Sequence, residues 1–399
     1  VTVDGNRRAR GVYVHVPFCR RRCSYCDFYF EIGQSTAGFV DGVACELAAR
    51  ADEIDWPVQT VSFGGGTPSQ LGAADLARIV ELVSVRGLAP DAEVSLEVNP
   101  EDVDDALADG LRRAGFSRVS VGLQSLDDDV LRWLGRAHDR ARGIAAVAAL
   151  VNAGLDVGVD LIVGVPDEGA QRVADDLARV IDAGVVHVSA YVLTVEQGTP
   201  LVSLIARGRR RAVDEDAQAS AYERFQDQAP AHGLQQYEIS SWARSGRESR
   251  HNRLYWQRGD YLGLGPGAHS FRVDEGGRAC RRHTTARLAS WLRAPANPVA
   301  EYEVLEPAHA LREAIAFGLR DLAAGVDVAA LAALHRASVG PALAAALATA
   351  TARGDVEAVD GDGSRIHRLT PRGARFADGV AREVLGATDD EGPGPVTGR

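Results

Sequence analysis

The 399-residue chain contains no methionine, no uninterrupted apolar run of about 18 residues, and no second cysteine pair after its single cysteine cluster. No motif below depends on methionine. The missing apolar run excludes a membrane-spanning helix, and the polar, basic opening Val1–Arg10 lacks the apolar centre of a signal peptide, so the expected location is the cytoplasm. Cysteine is scarce too: five residues, an odd number with three clustered, do not build a disulfide framework and fit a reducing compartment. Cys45 and Cys280 read as packing residues or bystanders. A basic surplus is also lacking, since the net charge is −11, which argues against nucleic acid as a partner. The one dense basic run, Arg207 to Arg211, reads either as a solvated loop or as a contact for an anionic ligand or membrane surface. With 46% hydrophobic and 25% charged residues, the rest is ordinary globular protein, long enough for two or three domains.

What the chain does have is a loop of three thiols. A β-branched and aromatic run, Val12 to Val16, breaks at Pro17 into Cys19, Cys23 and Cys26. Thiolates at this spacing can hold three corners of a cubane iron–sulfur cluster and leave the fourth iron open for chemistry. A closed zinc site needs four ligands; His15 is the nearest fourth, and it lies on the strand before Pro17.

From Val12 to Val192 short β-branched runs alternate with amphipathic stretches, the pattern of a parallel sheet. Strands are expected at Val12–Val16, Thr60–Phe63, Glu93–Val98, Arg118–Gly122, Asp156–Val163 and His187–Val192. Helices are expected near Gly38–Glu53, Ala73–Val85, Val103–Ala114, Arg140–Ala153 and Gln171–Ala183. An α/β partial (β/α)6 barrel is the predicted fold, with an open doubly wound sheet as its competitor. The barrel is favoured by its strand ends: the cysteines follow strand one, Gly64–Gly66 and Thr67 follow strand two, Glu97 ends strand three, Gln124 follows strand four and Asp160 lies on strand five. Each has a plain alternative: a tight turn for the glycines, a paired carboxylate for Glu97 or Asp160, a helix cap for Gln124.

These segments together resemble the coproporphyrinogen III oxidase-like branch of the radical S-adenosylmethionine (SAM) superfamily. The likeness rests on Tyr13–Cys19, Phe63–Ser69, Leu96–Pro100, Val121–Ser125 and Asp160–Pro166, in order across most of residues 11–200. It implies a [4Fe-4S] cluster on Cys19, Cys23 and Cys26. It also implies SAM contacts from Tyr13, Tyr25, Gly65, Gly66, Thr67, Glu97, Gln124, Arg136 and Asp160, and an electron donor for the cluster.

Two activities occur in that branch. The oxygen-independent coproporphyrinogen III dehydrogenase decarboxylates porphyrinogen propionates and carries a further cysteine two positions after the third; here that position is Phe28. Its longer N-terminal arm is also missing before the first strand. The heme chaperones of the branch resemble this chain at His251-Asn252-Arg253-Leu254-Tyr255-Trp256, where imidazole can ligate iron and the rings of Tyr255 and Trp256 can pack on a porphyrin. A histidine bonded within a loop beside two core aromatics is the competing reading. The expected function is heme binding and delivery to an acceptor protein, with no catalytic residue assigned; the dehydrogenase is the alternative.

The expected domains are the partial barrel at 11–205, a connecting, heme-handling region at 206–305 that completes the core, a C-terminal helical, winged-helix-like domain at 306–386, and a disordered tail at 387–399. The C-terminal part is expected to hold helices at Leu311–Leu322 and Val328–His335, a hairpin from Val356–Val359 through Asp360–Gly363 into Arg365–Leu369, and a final helix from Pro371 to Leu385.

Overall fold

The computed structural model describes residues 10–166, 170–360, 364–388 and 397–398. Strands Arg10–Val16, Val58–Gly65, Leu88–Val98, Arg118–Gln124, Asp156–Val163 and His187–Val192 pair in sequence order, every neighbour parallel. Helices Phe39–Arg50, Gly72–Gly87, Asp105–Arg113, Arg140–Asn152 and Ala170–Asp182 connect them. The order never reverses direction, as a doubly wound sheet would require. It also ends in antiparallel edge strands, so the barrel is partial.

Local chemistry explains the elements. On the first strand Val12, Val14 and Val16 face the core while Gly11 and His15 are buried on the other side, the two-sided burial that a parallel sheet under helices imposes. Asp104 and Asp139 cap two of the helices, each carboxylate accepting from the backbone amide three residues on. Gly154 and Gly184 close helices Arg140–Asn152 and Ala170–Asp182 in left-handed conformation, with φ of 80° and 93°.

Residues 206–305 extend both edges of this sheet. Gln235–Glu238 and Ser241–Ala243 add antiparallel strands beyond the sixth. On the other side Asp260–Leu264 lies parallel to the first strand, followed by antiparallel His269–Val273, Ala279–Thr284 and Ala300–Leu305. Among the described residues the large sheet therefore holds seven parallel strands, not six. The seventh is glycine-rich and resembles a loop in sequence; Gly263 is required there because a Cβ would collide with the carbonyl of His269 across the hairpin.

Helices Pro307–Gly318, Val328–Leu334 and Pro341–Ala352 pack with a small sheet in which Arg365–Leu369 lies between Val326–Asp327 and Val356–Asp360. Leu311, Leu343, Leu347, Val356 and Val380 share an apolar cluster separate from the barrel core. The helix at Pro341–Ala352 was not anticipated, and the final helix is divided at Phe376 into Pro371–Arg375 and Ala377–Leu385. The turn at 361–363 lies outside the described residues, as does most of the expected disordered tail; Thr397–Gly398, however, pairs with Glu303 and Tyr302. Among the described residues no helix is long and apolar enough to cross a membrane.

Candidate functional site

The cysteine loop leaves the first strand and is tied down by the residues between its thiols. Arg20 pairs with Asp102 at 2.7 Å, Arg21 donates to the Gly135 carbonyl, and Arg22 donates to the Gly198 carbonyl at 3.1 Å. Ser24 bonds the Leu134 carbonyl through both its amide and its hydroxyl, and its own carbonyl accepts from the Leu201 amide. The basic character of the loop thus serves its anchoring to the strand-end rim.

Cys19, Cys23 and Cys26 are free and half-buried, and they line one cavity of about 540 Å³. Tyr25, Gly65, Gly66, Thr67, Glu97, Gln124, Arg136 and Asp160 line the same cavity. Tyr13 does not. It lines a neighbouring cavity, with its ring stacked near His251 at 6.3 Å between centroids; it shares a sheet face with Glu97, since a Cβ on Gly64 would stand 3.0 Å from both the Tyr13 hydroxyl and a Glu97 carboxylate oxygen.

The polar wall is a connected network. Cys19 Sγ lies 3.4 Å from Thr67 Oγ1, which accepts from Asn99 Nδ2 at 3.0 Å. Asn99 Oδ1 accepts from Arg136 at 2.6 Å, and the same guanidinium donates to the Gly122 carbonyl at 2.8 Å and to Cys23 Sγ at 3.4 Å. Its Nε is buried with no partner, a donor left over in a site otherwise satisfied. Gln124 sits at φ 67°, a left-handed conformation costing a side-chain-bearing residue about 1–3 kcal/mol.

Electrostatics point to a cationic or proton-bearing occupant. The Glu97 carboxyl is pushed up to about 8, first by its enclosed position and then by the charge of Asp160. Asp160 is pushed up to about 6 by burial, against the stabilising hydroxyls of Ser120, at 3.0 Å, and Ser189. Glu97 also faces the cavity's solvent, and water there screens part of the repulsion. A positive group between the two would let both ionise. Burial pushes the Cys19 thiol up to about 11 and raises Cys26 as well, so a metal must displace protons to bind.

Among the described residues no three His, Cys, Asp or Glu side chains lie close enough to share one metal ion. His15, the nearest fourth ligand for zinc, is turned elsewhere: its ring nitrogens face the Tyr29 carbonyl at 3.0 Å and Tyr13 Oη at 3.4 Å. Three thiols spread around one cavity suit the corners of a polynuclear cluster. Gly65 and Gly66 line the cavity and also serve the packing beneath it. A Cβ on Gly66 would stand 2.8 Å from the backbone of Pro17 and Phe18, and one on Gly65 would stand 2.7 Å from the His15 ring. They make room for the strand that carries the cysteines, while still lining the cavity.

A second cavity, about 620 Å³, adjoins the first; Phe28, 72% exposed, lines both. Its walls are aromatic, with Tyr255, Trp256, Tyr261, Phe271 and Phe317. His251 is not among them. It is buried, with Nδ1 2.8 Å from Thr60 Oγ1 and Nε2 2.7 Å from Tyr255 Oη, and burial holds its pKa down to about 3. Both nitrogens are engaged, so in this arrangement His251 orients Tyr255. Sequence reasoning missed Asn99 and Tyr191 in the first cavity and His269 and His283 in the second. Asn99 was detectable as the polar residue before Pro100 at a strand end, and His269 as the end of the glycine-rich segment that follows Trp256; Tyr191 and His283 have no local signal.

Residues 13–201 match the Radical SAM superfamily model. The chain is 39% identical over 389 residues to a Mycobacterium tuberculosis protein named heme chaperone HemW, covering 94% of this chain and 95% of that one. It is 34% identical to the heme chaperone HemW of Synechocystis, over 90% of this chain and 88% of the relative. Escherichia coli HemN, a coproporphyrinogen III oxidase described as a radical SAM enzyme, shares the fold, with a TM-score of 0.78 at 21% identity over 95% of this chain and 90% of that one.

Proposed function

Because the chain belongs to the HemW family of radical SAM proteins, we propose that it binds heme and passes it to an acceptor protein in the cytoplasm. In this reading Cys19, Cys23 and Cys26 hold a [4Fe-4S] cluster. Tyr25, Gly65, Gly66, Thr67, Glu97, Gln124, Arg136 and Asp160 surround SAM beside it. When bound and reduced, such a cluster supplies an electron from an external donor.

The observation that carries the reading is the pairing of cavities. A polar, cysteine-lined one opens beside an aromatic one of about 620 Å³, a size within the usual range for a cofactor-sized ligand. Tyr255 and Trp256 belong to the aromatic wall, and Phe28 stands between the two where the dehydrogenase has cysteine. Its large exposed ring is the kind of apolar surface that a bound ligand covers. The residues from 306 on form the domain that contacts this region: buried Arg258 pairs with Glu313 of helix Pro307–Gly318, and Phe317 of that helix lines the aromatic cavity. Arg207, Arg209 and Arg211 are exposed just after helix Pro200–Ala206, whose Leu201 amide bonds the cysteine loop. A membrane surface or anionic partner held there would lie next to the cluster.

The test is anaerobic reconstitution of iron and sulfide, followed by hemin, and separately by coproporphyrinogen with SAM and a reductant. A stable heme complex without decarboxylation is expected. Stoichiometric conversion of propionates to vinyl groups would overturn the reading in favour of the dehydrogenase.

A further inference from the structure

Four histidines gather around the aromatic cavity, and they fall into two classes. His15 and His251 are tied: each has both ring nitrogens facing a protein partner, Tyr29 and Tyr13 for one, Thr60 and Tyr255 for the other. The rings of His269 and His283 line the cavity and make no hydrogen bond with the described residues. They are cross-strand partners in the antiparallel pair His269–Val273 and Ala279–Thr284, and their rings stack at 4.0 Å with only 3° between planes. Cross-strand packing accounts for the stacking. His269 is exposed and His283 half-buried, so their ring nitrogens, unlike those of His15 and His251, stay open to the cavity and free to ligate a metal.

We propose that the His269–His283 pair supplies the axial ligand to the iron of a heme seated in this cavity, one ring ligating while the other stacks behind it. The inference rests on the heme reading above and assigns its iron contact to residues other than His251. An imidazole nitrogen donates its lone pair to ferric iron and displaces a water or chloride ligand; no electron is transferred. The porphyrin then lies among Trp256, Tyr261, Phe271 and Phe317, whose faces and edges suit a flat aromatic guest. Two parallel rings cannot ligate one iron from opposite faces, so the second axial position stays open to an acceptor's own ligand. A carrier that must release its cargo gains from that arrangement.

The experiment is a hemin titration of the reconstituted holoprotein, read by electron paramagnetic resonance of the ferric iron, with a parallel titration of metal-free protoporphyrin read by tryptophan quenching. For His269→Ala/His283→Ala the expected result is weaker hemin binding, by about tenfold or more. The nitrogen-ligated ferric signature should be lost, protoporphyrin affinity should be unchanged, and added imidazole should restore the signature. His269→Gln/His283→Gln keeps the bulk of the pair and should behave alike, which guards against an alanine variant that fails to fold. His251→Ala should keep the signature. The proposal is overturned if the double variants retain wild-type hemin spectra and affinity, or if hemin and protoporphyrin weaken equally. Loss of ligation in His251→Ala alone overturns it as well. Failure of the wild-type protein to bind hemin overturns both the ligand assignment and the heme reading beneath it.

Discussion

Gly66→Ala tests how the cysteine loop is positioned. The added Cβ would lie 2.8 Å from the carbonyl carbon of Pro17 and the carbonyl oxygen of Phe18, where ordinary contact begins at 3.4 Å, so the backbone must yield by about 0.6 Å. Neither neighbour is a flexible side-chain end. The segment cannot simply swing away, because the Gly66 amide donates to the Val16 carbonyl at 2.8 Å. Overpacking of this kind costs about 1–3 kcal/mol. Cys19 follows Phe18 directly, and cluster sites tolerate misplacement of only about 0.5 Å before affinity suffers. The expected outcome is a lower urea midpoint together with reduced iron and sulfide per chain after anaerobic reconstitution. Gly379→Ala is the control: a Cβ there meets nothing within 4 Å, and in helix Ala377–Leu385 it should stabilise by about 0.5–1 kcal/mol and leave iron content alone. Full iron incorporation and an unchanged midpoint in Gly66→Ala would refute the argument.

Three other outcomes are expected. Arg136→Met removes the donor shared by Asn99, the Gly122 carbonyl and Cys23; with charged-group hydrogen bonds at about 1.5–3 kcal/mol each, urea unfolding should show a loss of about 3 kcal/mol and SAM binding by calorimetry should weaken sharply. Glu46→Ala touches neither cavity, yet should be the most destabilising, by about 3–5 kcal/mol, because Glu46 is fully buried and accepts from Arg50, the Gly265 amide and Trp291 Nε1. For pH, Glu97 and Asp160 are raised above their unfolded values to about 8 and about 6, so the folded state holds protons that the unfolded chain has released. Stability should therefore fall as pH rises from about 4 towards 8, and Glu97→Gln should flatten the upper part of that decline; identical pH profiles of urea midpoints in the two proteins would show that Glu97 is not the source.

Much of the barrel was legible because its signals are local. The β-branched runs and the amphipathic stretches each act within a few residues of themselves, and every expected barrel strand lies inside an observed one. The seventh parallel strand, Asp260–Leu264, was not legible, because its glycines look like a loop until the His269 carbonyl is brought beside Gly263. Tyr13 shows the same limit: its motif travels with the cysteines, but in the fold its side chain lines the other cavity.

The sequence by itself determined the cysteine loop, the order of polar strand ends and the family, since these depend on residue type and spacing along the chain. Only the tertiary structure decided what those residues face. It set Gly65 and Gly66 against His15 and Pro17, where a Cβ would not fit, and it gave both nitrogens of His251 to Thr60 and Tyr255. It also brought His269 and His283 together, 14 positions apart in sequence, as an unbonded pair on a cavity wall. The physical reason is the same each time: a hydrogen bond or a steric contact is a property of two groups in space, and the partner of a side chain is chosen by the fold that surrounds it.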